Sequence, residues 1–357
     1  MKSANLFERS TLHADVQAVR VATVQAEPAW WDLKAGVSKT ISIIKEAAAN
    51  GAEVIGFPES FIPGYPMVIW THGFNPEFLA KFKANALDVR SDEFKSILEA
   101  AKNAGIWVVL GFTEREAGTM YGAQVIINAQ GVVVLHRRKI KATGQERTIW
   151  GDGPADSIQS VVSGPDGIKL GALNCWEHLQ PLLRYYGYHQ GVQLQISSWP
   201  LFLSMKQDGH TDFQSSGEGN ALQAQFTALE GQTFVISSTQ ILRPENVEIC
   251  GLTGVSGWEK GGGGFAAIYG PDGKQLTPPT QPDEETILYA EVDTNQVLVA
   301  KLLADPVGHY FSLSSSRPDL LSLKANPRPH PFVTEGEPEA DATLLRRLHN
   351  IPVEIPL

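Results

Sequence analysis

The sequence predicts an α/β protein in which helices cover β-sheets, and three observations predict it. Strand-like and helix-like segments alternate along most of the chain. β-Hairpins occur in each half. The two halves share an order of elements without a detectable sequence repeat.

Each element has its own signal. VRVATVQAEP (19–28) has the β-branched content of a buried strand. AGVSKTISIIKEAAANG (35–51) reads as a helix, with Val37, Ile41, Ile44 and Ala48 on one face and Gly51 as its stop. AEVIGFPE (52–59) is a short apolar strand running into a turn. Ser91 caps the next helix, Asp92 and Glu93 suit its first turn, and Phe94, Ile97, Leu98 and Ala101 form its apolar stripe. IWVVLGFTE (106–114) is a strand, and residues 123–139 form a hairpin around Asn128–Gly131. The order then repeats. Residues 158–175 form a hairpin turning at Gly164–Gly167, a helix covers 178–190 and VQLQISSW (192–199) is a strand. A helix at 218–230 leads to the strand TFVISSTQ (233–240). A hairpin at 264–277 and the strand ILYAEVD (287–293) close the core. The tail beyond 325 is rich in proline and charge and reads as an extended or disordered arm over 326–357.

Composition narrows the function. The chain has 357 residues, 43% of them hydrophobic, enough for one large domain or two ordinary ones. The net charge of −10 argues against nucleic acid, which needs a basic face; the one basic cluster, HRRKIK (136–141), is short. The N-terminus has no apolar signal region, and no stretch of about 18 uninterrupted apolar residues exists to span a membrane. Two cysteines, Cys175 and Cys250, make no disulfide scaffold and suit a reducing compartment. The expectation is a soluble cytoplasmic protein. The glycine run 261–264 lacks the Gly-Lys-Ser/Thr ending of a phosphate loop and reads as a turn. The nine histidines have no metal-ligand spacing with the cysteines, so no metal is expected.

Three chemically useful residues leave three strands. Glu59 follows VIGF, Lys139 follows VVVLH, and Cys175 follows KLGALN. Active sites of α/β sheets gather at the carboxyl ends of strands, so a carboxylate, an amine and a thiol can meet there. A free thiol is mostly protonated at neutral pH. A carboxylate in reach can take its proton, and an ammonium and a backbone N–H can stabilise the charge that develops after attack. Each residue also has a bland alternative: a solvated loop glutamate, a surface lysine among other basic residues, a small core thiol. Cys250, in VEICGLTG, reads as such a packed thiol.

The local motifs go further. FPESFIPGYP (57–66), HRRKIKATGQER (136–147) and LNCWEHLQPLLRYYGY (173–188) stand in an order and spacing that resemble the nitrilase branch of the carbon–nitrogen hydrolases. ALEGQTFVISSTQ (228–240) and DPVGHY with SRPDLL (305–321) extend the resemblance from Val19 to Leu323. It implies a four-layer α-β-β-α sandwich over 19–325. It implies Glu59 as general base and acid, Lys139 as stabiliser of the tetrahedral intermediate, and Cys175 as nucleophile. Glu146 would position the substrate or the lysine, and the Trp176 N–H would join the oxyanion site. No cofactor is implied, and the helix after the cysteine would pair subunits into homodimers that assemble into larger oligomers or spirals.

CWEH and SSWP (197–200) resemble nitrilases that accept aromatic, arylaliphatic or small nitriles, with Tyr65 and Trp199 as candidate pocket linings. The alternatives are a cyanide hydratase, an amidase of the same superfamily, or an idle member kept as a scaffold; the intact triad argues against the last. Two departures stand out. Lys141-Ala142-Thr143 replaces the usual Lys-Pro-Thr, which frees the unfolded chain. Residues 311–315 separate His309 from Arg317, which family members keep close.

Overall fold

The computed structural model describes residues 18–308 apart from 74, 203–205 and 208–209. The arm at 326–357 and the inserted residues 311–315 lie outside the described residues.

Eleven strands make the framework. They are β1 (Val19–Ala26), β2 (Val54–Gly56), β3 (Trp107–Glu116), β4 (Thr119–Ile127), β5 (Val133–Arg138) and β6 (Val161–Ser163), then β7 (Lys169–Asn174), β8 (Leu194–Trp199), β9 (Phe234–Gln240), β10 (Ala267–Tyr269) and β11 (Thr286–Val292). The hydrogen-bonded order is β5-β4-β3-β2-β1-β9-β8-β7-β6, with β11 also on β1 and β10 also on β9. Both hairpins expected at 123–139 and 158–175 form, as β4–β5 and β6–β7.

This run of strands folds over so that its two halves face each other. Side-chain parity demonstrates it, because successive residues of a strand point to opposite faces. Val19 and Val21 of β1, Val54 of β2 and Val109 of β3 share one buried cluster with Leu170, Leu194, Ile196, Phe234 and Ile236 from the other half. Their neighbours Ala22, Val24, Ile55, Val108 and Leu110 point the other way, into a cluster with helices α1 (Leu33–Ala49) and α3 (Asp92–Ala104). Beyond the second half, Ala224 and Ala228 of α5 (Gly217–Gly231) pack on Val235 and Ala267, beside α4 (Pro181–His189). The architecture is therefore α-β-β-α. Each fully buried Ile, Val or Phe stabilises it by roughly 1.5–3 kcal/mol.

Helix α1 starts two residues earlier than the sequence suggests, because the Asp32 side chain accepts the Ala35 N–H and fixes the first turn. Its buried face is Val37, Thr40, Ile44 and Ala47, so Ile41 and Ala48 are only half-buried. Ser91 caps α3 as expected, accepting the Phe94 N–H. Helices α2 (Pro76–Ala84) and α6 (Asn295–Ala304) complete the set. Among the described residues no helix is long and apolar enough to cross a membrane.

Strand direction places the site. β2 is parallel to β1 and β3, and β5 regains that direction through the antiparallel β4. β7 is parallel to β8, β8 to β9 and β9 to β1. The strands that precede Glu59, Lys139 and Cys175 therefore all run the same way, and their carboxyl ends lie at one edge of the facing sheets.

Candidate active site

Glu59 sits in a turn that hugs the sheet. The neighbouring Gly111 of β3 permits this, since a Cβ there would meet the Pro58 carbonyl at 2.4 Å and the Glu59 Cα at 2.8 Å. The Glu59 N–H donates to the Trp199 carbonyl, and Gln240 Nε2 donates to the Glu59 carbonyl at 2.6 Å. Ser60, next in the chain, has φ +48°, and Cys175 has φ +47°. Both lie in the left-handed region, which costs a non-glycine residue about 1–2 kcal/mol. The strained turn after β7 breaks the strand abruptly at the cysteine.

The three sequence-predicted triad residues come together, and Glu146 joins them. Lys139 Nζ donates to Glu59 Oε1 at 2.9 Å and to Glu146 Oε2 at 2.8 Å. The Cys175 Sγ and one carboxylate oxygen from each glutamate lie within 4.8 Å of one another. Such a set resembles a cation site, but the Lys139 ammonium already serves as counter-ion to both carboxylates. Glu146 is held from three sides, because Thr143 N–H donates to Oε2 at 2.7 Å and Tyr65 Oη–H to Oε1 at 2.7 Å. Glu59 Oε2 has no hydrogen-bond partner among the described residues.

Electrostatics follow from burial. Desolvation raises Glu59 to about 8, with Lys139 pulling the other way and Glu146 adding to the rise. Desolvation would lower Lys139, but Glu146 and Glu59 hold it well above its ordinary range, so it stays an ammonium. Burial, then Glu59, push the Cys175 thiol well above its ordinary value, although the Trp176 N–H bonds to it. The segment that follows the cysteine does not offset this rise. That segment is a short 3-10 turn, Cys175–Leu179, and the resting group is a neutral thiol in need of a base.

The site opens into a pocket with Cys175 and Glu146 in its lining. Tyr65, Trp70, Trp176, Phe202 and Trp258 supply aromatic wall, and Met67 and Leu201 aliphatic wall. The glycine run before Phe265 serves this wall. Gly263, at φ +94°, comes so close to Leu201 that a Cβ would meet it at 2.8 Å, and its carbonyl accepts the Phe202 N–H. Tyr65 thus lines the pocket and also reaches Glu146. Trp199 does not line it. It is fully buried behind Cys175, stacked on His178 at 4.7 Å between ring centres.

A family model described as carbon-nitrogen hydrolase matches residues 20–301. The chain belongs to the carbon-nitrogen hydrolase family. A protein named nitrilase from Talaromyces marneffei is 47% identical over 320 residues, covering 88% of this chain and 98% of that one. An arylacetonitrilase of Aspergillus kawachii is 43% identical, covering 85% of this chain and 91% of that one. A cyanide hydratase of Armillaria gallica is 42% identical, covering 92% of each. Among solved structures, the Caenorhabditis elegans NitFhit protein has TM-score 0.64 at 18% identity, covering 86% of this chain and 67% of that one, which shows the fold. This chain is an enzyme, a nitrilase-type carbon–nitrogen hydrolase.

Several residues of the hydrolase were not visible as site residues in the sequence. Trp70 closes a one-turn 3-10 helix, and Phe202 and Trp258 come from loops, so none of them sits in a periodic segment. Ala142 is buried and accepts the Arg147 side chain at its carbonyl, so the loop carrying Glu146 is pinned by hydrogen bonds. Arg137, within the basic run that reads as surface charge, is fully buried and paired with Glu177.

Proposed function

We propose that the protein hydrolyses aromatic or arylaliphatic nitriles to the carboxylic acid and ammonia, with the amide as by-product. The observation that carries this reading is the Glu59 carboxylate, its Oε2 without a hydrogen-bond partner and one of its oxygens within 4.8 Å of the Cys175 thiol, which lines an aromatic-walled pocket.

In this reading Glu59 Oε2 takes the thiol proton as Sγ attacks the nitrile carbon. The nitrile nitrogen gains charge, stabilised by the Lys139 ammonium and the Trp176 N–H, and takes the thiol proton back from Glu59 to give a thioimidate. Glu59 then accepts a proton from the adding water and passes it to nitrogen. Ammonia leaves and a thioester remains, which a second water hydrolyses to the acid and free thiol. If the tetrahedral intermediate expels the thiol instead, the amide is released. The apolar aromatic wall favours an aryl or arylalkyl group over cyanide, which has no side group to contact it.

A pairing of subunits through α4 and α5 is part of the proposal. Leu182 of α4 and Leu222, Phe226 and Leu229 of α5 are exposed, and the last three share one helix face. Sedimentation of the wild type and Phe226→Asp tests it; an unchanged mass for the variant would refute it.

The deciding experiment is product analysis with phenylacetonitrile, benzonitrile, cyanide and the matching amides. Acid and ammonia in equal amounts from an aryl nitrile support the proposal. Formamide from cyanide alone would replace it with a cyanide hydratase, and ammonia from amides alone with an amidase.

A further inference from the structure

Beneath the triad, at the core side of the strand ends, lies a buried polar chain that the reaction itself does not use. Arg137, two residues before Lys139, donates to both carboxylate oxygens of Glu177 at 2.6 Å each. Both side chains are completely removed from solvent. The same carboxylate holds two catalytic loops by their backbones. Glu177 Oε1 accepts the N–H of Ile140, next to Lys139, at 3.1 Å. Glu177 Oε2 accepts the N–H of Asn174, next to Cys175, at 2.9 Å.

The chain continues to the third loop. Arg137 Nη1 also donates to Gln124 Oε1 at 3.1 Å. Gln124 Nε2 donates to the Leu173 carbonyl and to Ser198 Oγ, and the Ser198 hydroxyl donates to the Phe57 carbonyl at 2.7 Å. Phe57 stands two residues before Glu59. One hydrogen-bonded path therefore reaches the ends of β2, β5 and β7. Burial would raise the Glu177 carboxyl, but Arg137 and the two N–H donors hold it below its ordinary range, so the pair is ionic.

A buried ion pair is weak evidence of net stability, because desolvation offsets the attraction. Its geometry must then be sought in what it positions. Of the four donors to Glu177, two are backbone N–H groups of the Lys139 and Cys175 loops and two belong to the Arg137 guanidinium, which aims the carboxylate at them. The separation of these loops decides whether an ammonium stays beside the nitrogen of the intermediate formed on Cys175.

We propose that the buried Arg137–Glu177 pair is a positioning device that locks the Lys139 and Cys175 loops together and so sets the share of acid and amide released. This rests on the nitrile-hydrolysing reading above. From the tetrahedral intermediate, transfer of a proton to nitrogen and cleavage of C–N give ammonia and the thioester. Transfer of a proton to sulfur and cleavage of C–S give the amide and the free thiol. A loosened lock shifts the second exit against the first without changing the pocket wall.

The test uses Glu177→Gln and Arg137→Lys, with Arg138→Lys as control. Glutamine turns an NH₂ group toward two of the four donors and releases one loop. Lysine keeps the charge and loses the fork. The Arg138 side chain pairs across to Glu114 and Glu116 of β3 and makes no bond to Glu177 among the described residues. With phenylacetonitrile, the first two variants are expected to lose about tenfold or more in kcat, with KM within about twofold, as for interactions felt only after binding. Their amide share rises, and that of Arg138→Lys does not. Folded variants with wild-type kcat and product ratio would overturn the proposal. So would failure of both to fold beside a folded control, which would make the pair a stability element. If Glu177→Gln alone fails to fold, Arg137→Lys decides. Should the wild type convert no nitrile, the functional reading fails on its own. The lock is then read from iodoacetamide alkylation of Cys175, whose pH profile moves toward that of an unassisted thiol in the variants or, if the lock is wrong, stays put.

Discussion

The Tyr65 hydroxyl donates to Glu146 at 2.7 Å, while the Trp70 indole donates to the same hydroxyl at 3.1 Å. The pocket wall and the support of Lys139 are thus one hydrogen-bonded unit. Tyr65→Phe keeps the wall and removes the bond. It leaves a buried carboxylate oxygen with one donor fewer, at a cost of about 1–3 kcal/mol. We expect kcat to fall about tenfold and KM for an aryl nitrile to stay within about twofold. Steady-state kinetics and thermal unfolding check both; an unchanged kcat would mean that the hydroxyl does not support Lys139.

The pH dependence follows from Glu59. Its carboxyl is raised to about 8, and the base must be ionised to accept the thiol proton. Below that value kcat/KM should therefore rise about tenfold per pH unit and then level off above it. The stability sign is opposite. The folded carboxyl titrates above its unfolded value, so its contribution is fully present below the ordinary value of 4.5 and is lost as pH rises through about 8. Glu59→Gln should abolish turnover and flatten this alkaline loss in a series of melting curves. A rate that falls as pH rises through this range would contradict the assignment.

Legibility in the sequence tracked periodicity. The strands before Glu59 and Lys139 announce themselves by β-branched residues and the strand before Cys175 by its apolar Leu170–Leu173 run, and their common direction brings the three residues to one edge. Helix α2 escaped because, among its nine residues, only Phe82 is buried, and α6 because its apolar residues surround the axis and only Val297 is buried. The face of β8 was equally illegible: every residue from Leu194 to Trp199 is buried, so no alternation reveals that Trp199 turns toward α5 and away from the pocket. Arg137 illustrates the opposite failure. A basic run reads as solvated charge unless its partner is known, and Glu177 lies 40 residues away.

The two thiols separate cleanly. Cys175→Ala removes the proposed nucleophile and should lower turnover by at least about 10³-fold with the fold retained. Cys250 is buried among Trp31, Trp258 and Leu252, its thiol pushed up by burial. Cys250→Ala should keep most activity and lose about 1 kcal/mol of stability from a small cavity. Activity assays with near-ultraviolet circular dichroism decide both; a dead but folded Cys250→Ala would require a role for the second thiol.

Substrate size should answer to Phe202. Its ring stacks on Trp176, 6.3 Å between centres with planes 12° apart, and packs edge-on to Trp199. Trp176 is itself anchored, since its indole N–H donates to Asn220 Oδ1 at 2.9 Å. The wall is therefore held in place from behind, and truncating Phe202 opens the pocket without moving the triad. Aromatic contacts contribute about 0.5–1.5 kcal/mol beyond area burial, so Phe202→Ala should raise KM for phenylacetonitrile about tenfold. A nitrile with no ring, such as acetonitrile, loses no such contact, and its kcat/KM should change less than about twofold. The ratio of the two specificity constants is the informative quantity, because any general damage to the site lowers both alike. A parallel loss for both substrates would mean that Phe202 supports the catalytic turn through Trp176 and does not contact the ring.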